Sequence, residues 1–185
     1  MNMRNVNIVA RYESKLLRRD IVFLGFVVIA LVGISLWQMI KQGRVNVFWY
    51  KVALPSSFPF FSMYYYNLVQ VLIALFVCME VVYRERKKDA MEVFLCRPFR
   101  NSEYCIGRFL GIFRMFLFVN ICVLLVCMYI NLWVVGAPFN VWIYVFYLFT
   151  LSIPTLIFVL GCALSISAMV KNRPLSVLVL GLFGL

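Results

Sequence analysis

The side chains best suited to chemistry in this sequence concentrate in one charged stretch between two apolar runs, from Arg84 to Pro98. On a helix, apolar side chains spaced i, i+3 and i+4 share one side, and the charged ones gather opposite. The apolar side consists of Met91, Phe94 and Leu95, and the charged side of Glu85, Lys88, Asp89 and Glu92. Such a helix places its apolar side on the membrane, on its own bundle or in a partner's groove, and the pattern by itself favours the membrane.

Residue sets typical of enzymes and metal sites are missing from the sequence. It contains no histidine and only seven acidic residues, so neither a nucleophile–base–acid set nor a His-ligated metal can be assembled. It also lacks the Gly-x-x-x-x-Gly-Lys-Ser/Thr loop that holds ATP phosphates. The six cysteines lie mostly within apolar runs, which is typical of free thiols that pack as small hydrophobic side chains. We therefore expect no catalytic residue, no metal and no cofactor.

The composition predicts an integral membrane protein. Of the 185 residues, 65% are apolar and 14% charged, whereas soluble domains have roughly 45–50% apolar and roughly 25% charged residues. A chain of this length has too little interior to hide that much hydrocarbon from water. The net charge of +11 is carried between apolar runs, where basic residues set topology and contact anionic lipid. This placement argues against a nucleic acid partner and for the lipid bilayer.

Four apolar runs are long enough to cross a hydrocarbon core of about 30 Å. They predict spans at 21–40, 63–83, 109–130 and 141–170. The fourth exceeds the bilayer thickness and is expected to tilt, to kink at Pro154 or to extend beyond the membrane. A fifth run opens at 175 and stops at 185, which predicts that the chain is a fragment cut within its fifth span.

The N-terminal segment 1–20 contains a helix predicted to lie in the headgroup region. From Asn7 to Asp20 an apolar face alternates with a basic one at helical spacing. The apolar face consists of Ile8, Tyr12 and Leu16 with Val9 and Leu17 beside them, and the basic face of Arg11, Lys15 and Arg18. A solvated basic leader is the alternative interpretation.

Basic residues predict the orientation of the spans. The segments 1–20, 84–108 and 171–174 carry fourteen Lys and Arg, whereas the segments 41–62 and 131–140 carry three. Loops rich in Lys and Arg stay in the cytoplasm. We therefore expect the N-terminus and the 84–108 loop to face the cytoplasm.

Several residues within the predicted spans are candidates for packing or transport. Gly107 and Gly111 form a Gly-x-x-x-Gly pair that lets helices approach closely, within the chain or, less favoured, between two copies. Glu80 and Arg114 are the only charges well inside spans, and we expect them to reach the interface or to pair with each other rather than to form a transport site. Another set either lines a polar path or bonds helices together: Asn67, Gln70, Asn120, Thr150, Ser152 and Thr155.

The run from Arg84 to Gly111 resembles the cytoplasmic loop of ABC-2-type transporter permeases, the membrane subunits of one class of ABC exporters. In that family the second span ends in a cluster of acidic and basic residues. This cluster is followed by a helix and then by a proline. After the proline comes a glycine followed by a basic residue, and this pair opens the third span. The matching positions here are Glu85, Glu92, Pro98, Glu103 and the pair Gly107-Arg108. The N-terminal helix likewise resembles the family's elbow helix, whereas Lys88-Asp89 departs from the Gly-Thr pair that members often carry.

The resemblance implies an all-α, polytopic transmembrane helical bundle with an N-terminal interfacial elbow helix and a cytoplasmic coupling helix, as in an incomplete type-2 ABC exporter transmembrane domain. It further implies a permease subunit in the cytoplasmic (inner) membrane that works with a separate ABC ATPase subunit and with a second permease in a homo- or heterodimer. The residues implied to contact the ATPase are Glu85, Lys88, Met91, Glu92, Phe94 and Leu95. The alternative is a membrane anchor that assembles a larger complex, and an ion-coupled carrier is disfavoured because no acidic residue lies near the bilayer midplane.

Overall fold

The computed structural model describes residues 3–45, 56–85, 101–133 and 139–169, and all regular structure in these ranges is helical. The elements are α1 (Met3–Arg19), α2 (Ile21–Val45), α3 (Ser57–Glu85), α4 (Asn101–Trp133), α5 (Val141–Tyr147), a π-helix (Leu148–Ser152) and α6 (Ile153–Met169). The predicted all-α class is confirmed. The predicted ATPase contacts from Lys88 to Leu95, the turn at 171–174 and the fifth run at 175–185 lie outside the described residues.

Three helical segments are long and apolar enough to cross a membrane: Phe58–Val82, Asn101–Trp133 and Val141–Ser167. The number rises to four if α1 and α2 count together as one bent pair. The prediction of several membrane-length apolar helices is thereby confirmed for the part of the chain that the structure describes.

The helices extend past the predicted spans at several ends. The second predicted span begins at 63, whereas α3 begins at Ser57. The residues 101–108, predicted as the end of the 84–108 loop, belong to α4, which begins at Asn101. At 33 residues α4 is about 50 Å long, against about 30 Å of hydrocarbon. Hydropathy detects only the apolar part of a helix, so end turns that contain polar residues or proline are predicted as loop.

Asp20 separates α1 from α2, and the two helix axes differ by 72°. The Asp20 carboxylate accepts a hydrogen bond from the Val22 backbone N–H at 3.0 Å. This is the bond of an N-cap, which satisfies a donor that the first turn of a helix leaves open. The cap therefore starts α2 in a new direction.

The bundle core lies where α2 and α6 pack on α4 and where α3 packs on α6. Three aromatic rings fill the contact between α2 and α4: the Phe116 ring centroid lies 5.5 Å from that of Phe23 and 5.8 Å from that of Phe26. Large apolar side chains also cover the outside of the bundle, including Val28, Phe76, Phe118 and Phe158. An apolar exterior of this extent is the surface that lipid covers.

The two ends of the bundle differ in chemistry. The charged residues of α3 (Glu80, Arg84 and Glu85) lie within its last six residues, and those of α4 (Glu103, Arg108 and Arg114) within its first fourteen, which together define the charged end. At the opposite, aromatic end the rings of Trp37 and Tyr65 lie 5.1 Å apart and those of Phe60 and Tyr147 5.6 Å apart. Trp and Tyr are enriched at membrane–water interfaces, and Lys and Arg are concentrated in the segments on the cytoplasmic side.

The fourth predicted span is interrupted by the π-helix Leu148–Ser152 rather than by a sharp break. Pro154 lies two residues after the end of this π-helix. A proline inside a helix removes one hydrogen bond and crowds the carbonyl four residues earlier, here that of Thr150. A single π turn lengthens this spacing, and such turns are frequent at functional sites. The structure thus has a π turn just before Pro154, whereas the predicted kink at Pro154 stays a prediction.

Candidate functional site

The close approach of α1 to α4 defines the junction at the charged end. A Cβ atom added at Gly107 would lie 2.7 Å from the Val9 Cβ and 2.8 Å from the Val6 carbonyl oxygen. One at Gly111 would lie 2.7 Å from the Glu13 Cβ and 2.8 Å from the carbonyl oxygen of Ala10. Cβ atoms essentially never come this close to backbone atoms. Gly107 and Gly111 thus lie within a contact between helices of the same chain.

Polar side chains bridge the junction along its length. Asn5 Nδ2 donates to Glu103 Oε2 at 3.1 Å, and Arg114 Nη1 donates to Asn7 Oδ1 at 3.1 Å. Further along α1, the Ser14 hydroxyl lies 3.1 Å from the Gly111 carbonyl oxygen and 2.8 Å from that of Ala10. Hydrogen bonds that involve a charged group are roughly twice as strong as neutral ones. The junction is therefore fixed in register as well as packed.

Three charged residues are buried in this region. Glu13 of α1 and Glu103 of α4 are each 5% exposed, and Arg108 of α4 is 7% exposed. The Arg108 guanidinium carbon lies 5.9 Å from the centroid of the Tyr104 ring, which is within the range of a cation–π contact. Buried charges are costly unless neighbouring groups compensate them. Two of the three belong to the contact between α1 and α4, because Glu13 lies against Gly111 and Glu103 accepts a hydrogen bond from Asn5.

The faces of α1 differ from the prediction in one respect. Ile8 and Tyr12 are exposed, as expected of a lipid-facing row, but Val9 and Leu17 are buried. The prediction that Val9 and Leu17 belong to the lipid-facing side was wrong, because both are buried within the bundle, as are Val6, Ala10 and Glu13. Val9 lies against Gly107 of α4. The spacing of apolar residues along a helix does not distinguish lipid from a neighbouring helix.

The predicted ATPase contacts adjoin this junction in the chain. Glu85 is the last residue of α3, and α4 begins at Asn101. Lys88, Met91, Glu92, Phe94 and Leu95 lie in the intervening segment, outside the described residues. The structure therefore describes the two helix ends to which this segment is joined in the chain.

The predicted ion pair of Glu80 with Arg114 stays a prediction. The structure shows the Arg114 guanidinium donating to Asn7 of α1, and the Arg114 side chain is exposed. Glu80 of α3 is half-buried and has interactions of its own. Arg114 thus belongs to the junction, a partnership that the sequence did not indicate.

A layer of buried polar side chains crosses the middle of the bundle. Asn120 Nδ2 of α4 donates to Gln70 Oε1 of α3 at 3.1 Å, and Asn67 Nδ2 donates to the Ser152 hydroxyl of the π-helix at 3.2 Å. Gln70 is about 20 Å from either end of α3 at 1.5 Å per residue, which places the layer near the middle of that helix. Hydrogen bonds of this kind hold helices together where no water is available.

Of the six polar residues for which sequence left two interpretations, these four bond one helix to another. The other two, Thr150 and Thr155, donate to backbone carbonyl oxygens of their own helix, those of Phe146 and Leu151, at 2.8 and 2.6 Å. Among the described residues the Asn67 and Asn120 Oδ1 atoms and the Tyr66 hydroxyl are buried without a hydrogen-bond partner. Interhelical bonding is thus what this structure shows for Asn67, Gln70, Asn120 and Ser152.

A double-mutant cycle measures what the Gln70–Asn120 bond contributes. We expect a coupling of about 0.6 kcal/mol between Gln70→Ala and Asn120→Ala in the free energy of unfolding, the average for such bonds in membranes. The control cycle combines Gln70→Ala with Thr155→Ala, whose hydroxyl bonds only its own helix, and should give a coupling near zero. Equal couplings in the two cycles would contradict the direct bond.

Sequence reasoning missed the residues of α1 that face α4. Asn7, Ala10 and Ser14 recur at i, i+3 and i+7, a small and polar stripe of the kind that packs against a Gly-x-x-x-Gly pair. That stripe was the available signal. The Asn131–Tyr144 hydrogen bond, 2.8 Å long between α4 and α5, was also missed, since a single Asn near the end of a span carries no pattern.

Comparison with protein-family models, with curated proteins and with solved structures finds no match to this chain. Its function must therefore be inferred from its own residues and their arrangement. Two arrangements stand out: the α1–α4 junction next to the charged 86–100 segment, and the polar layer in the middle of the bundle.

Proposed function

We propose that this chain is a permease subunit of an ABC-2-type exporter. It lies in the cytoplasmic membrane with its N-terminus and charged end on the cytoplasmic side. It forms part of the translocation path together with a second permease, and ATP hydrolysis takes place on a separate ATPase subunit. The observation that carries this proposal is the junction of α1 with the start of α4, directly after the charged segment that resembles the family's coupling loop.

The junction supports coupling because it joins the parts of the chain that a motor must move together. The segment 86–100 is tied to α3 at Glu85 and to α4 at Asn101. The first turns of α4 are bonded to α1 through Glu103 and Gly111. At the other end of α1, Asp20 begins α2. A displacement of the segment is therefore transmitted to α3 and α4 through the chain itself, to α1 through its hydrogen bonds with α4, and from α1 to α2 through Asp20.

The polar layer supports a transport path in a second way. Its two interhelical bonds, Asn67–Ser152 and Gln70–Asn120, join α3 to the π-helix and to α4. If these helices separate during transport, the same amides become exposed to the opening between them. These polar side chains then face the substrate. Exposing them leaves no polar group unsatisfied, because their bonds to each other are replaced by bonds to the substrate or to water.

The test is stoichiometric co-purification of an ATPase with the full chain from its native membranes. Phe94→Asp combined with Met91→Asp is expected to abolish it, since removing interface anchors costs about 2 kcal/mol or more, roughly thirtyfold in affinity. Val93→Asp adds one of these two negative charges on the side of the predicted helix away from Met91 and serves as the control. Membrane insertion of all variants should be unchanged.

Two results would contradict the proposal. The first is a wild-type chain that purifies without an ATPase but with other subunits, which favours the anchor function. The second is Val93→Asp losing the ATPase as completely as the double variant, which attributes the loss to charge alone. Labelling of Cys96 with a membrane-impermeant thiol reagent, with Cys96→Ser as the blank, tests the orientation separately; reaction from the outside would place the segment on the wrong side for any ATPase.

A further inference from the structure

The basic residues of α1 are segregated on one exposed side of the helix. Arg11, Lys15 and Arg18 are exposed and share this side at the spacing i, i+4 and i+7. The sole acidic residue within Met3–Arg19 is Glu13, which is buried against Gly111 on the opposite side. No carboxylate of α1 therefore offsets the positive charge of the exposed side.

An apolar row borders this basic side. Ile8 and Tyr12 are 52% and 56% exposed and lie one turn apart. They are joined in the chain to the start of α2, where Ile21 is 84% exposed. A helix with exposed apolar residues beside exposed Lys and Arg has the composition that binds at the boundary between headgroups and acyl chains.

The direction of α1 fits the same boundary. Its axis makes an angle of 72° with that of α2, so if α2 crosses the bilayer, α1 lies close to the membrane plane. At 17 residues it extends over about 26 Å of that plane. The junction with α4 holds it in this direction through Gly107 and Gly111.

We propose that the exposed side of α1 formed by Arg11, Lys15 and Arg18 is a binding site for anionic phospholipid headgroups, with Ile8 and Tyr12 inserted among the acyl chains beside them. This goes beyond the proposed transport function and does not depend on it. An acidic protein surface matches the charge equally well, but it gives no role to the apolar row or to its continuity with α2. Lipid satisfies both the charge and the apolar row.

The experiment uses native mass spectrometry of the full chain in detergent, with added phosphatidylglycerol or phosphatidylcholine as the probe. The wild type is expected to retain phosphatidylglycerol in preference, and the preference should weaken at high salt because exposed charges are screened. Each basic residue near an anionic surface contributes roughly fivefold in affinity. The variant Arg11→Gln, Lys15→Gln, Arg18→Gln should therefore lose the preference by roughly a hundredfold.

Two variants serve as controls. Lys41→Gln, Arg44→Gln, Lys51→Gln removes the same number of charges from the segment 41–62 and should keep the preference. Arg11→Lys, Arg18→Lys keeps the charge on α1 and should also keep it. An equal loss in both triple variants would overturn the proposal by attributing the effect to net charge. The proposal would also be overturned if neither triple variant lost the preference for phosphatidylglycerol. It would be overturned as well if the α1 variant kept its lipid binding but lost a bound protein.

Discussion

Replacing Gly107 by valine is expected to separate α1 from α4 and to lower the free energy of unfolding by about 3 kcal/mol, the upper end for overpacking. The new Cβ would lie 2.8 Å from the Val6 carbonyl oxygen, and a backbone atom can yield only if the whole of α1 shifts. The polar bonds of the junction, Asn5–Glu103 and Arg114–Asn7, would be lost with it. The thermal unfolding of the detergent-solubilised chain measures the effect, with a thiol-reactive dye reporting exposure of the buried Cys78 and Cys127.

The chain contains its own controls for this substitution. Cβ atoms added at Gly25, Gly33 and Gly161 would meet nothing within 4 Å. Alanine at these positions is expected to be neutral or to stabilise by up to about 1 kcal/mol, because alanine has the higher helix propensity. If Gly107→Val unfolded at the same temperature as Gly25→Ala, the close α1–α4 contact would be refuted.

Phe116→Ala is expected to lower the free energy of unfolding by about 2–3 kcal/mol. Phe116 is 0% exposed and its ring packs against the rings of both Phe23 and Phe26. Removing it leaves a cavity in the contact between α2 and α4. In a soluble core the loss is about 3–5 kcal/mol. In a membrane the transfer contribution is small because lipid is as apolar as the core, so mainly the lost packing remains.

Phe118→Ala is the matched control, since Phe118 lies two residues away on the same helix and is 57% exposed. Its ring is on the lipid-facing side, so its removal leaves no cavity, and the unfolding free energy should change by less than about 0.5 kcal/mol. Chemical unfolding in mixed micelles compares the two variants directly. A loss for Phe118→Ala as large as that for Phe116→Ala would mean that the ring contacts do not define the core.

The sequence predicted the helical class and the positions of the apolar helices because the bilayer imposes both. A backbone in hydrocarbon must satisfy its own hydrogen bonds, and a run of about 20 apolar residues is the shortest helix that crosses. A kink at Pro154 was one expectation for the fourth span, since proline lacks the N–H that the helix needs, and the structure has a π turn just before that residue. The π turn itself, over Leu148–Ser152, was not predicted.

The partners of the polar and small residues were not predictable in the same way. Gly107 and Gly111 were recognised as a packing pair, but the helix that packs on them is α1, at the far end of the chain. Arg114 was expected to reach the interface or to pair with Glu80, and its hydrogen bond to Asn7 of α1 was not indicated by the sequence. Each of these contacts joins residues about 100 positions apart, and no local pattern encodes which distant face is chosen.

By itself, the sequence determined that this chain is a bundle of membrane-length helices with a basic N-terminal helix, because apolar length and charge act locally along the chain. Only the tertiary structure decided which sides of those helices face each other. It turned Val9 and Glu13 of α1 toward α4, left Arg11, Lys15 and Arg18 exposed, and paired Gln70 with Asn120. The physical reason is that lipid and a neighbouring helix are equally apolar, so the choice between them depends on close packing and on hydrogen bonds between distant segments.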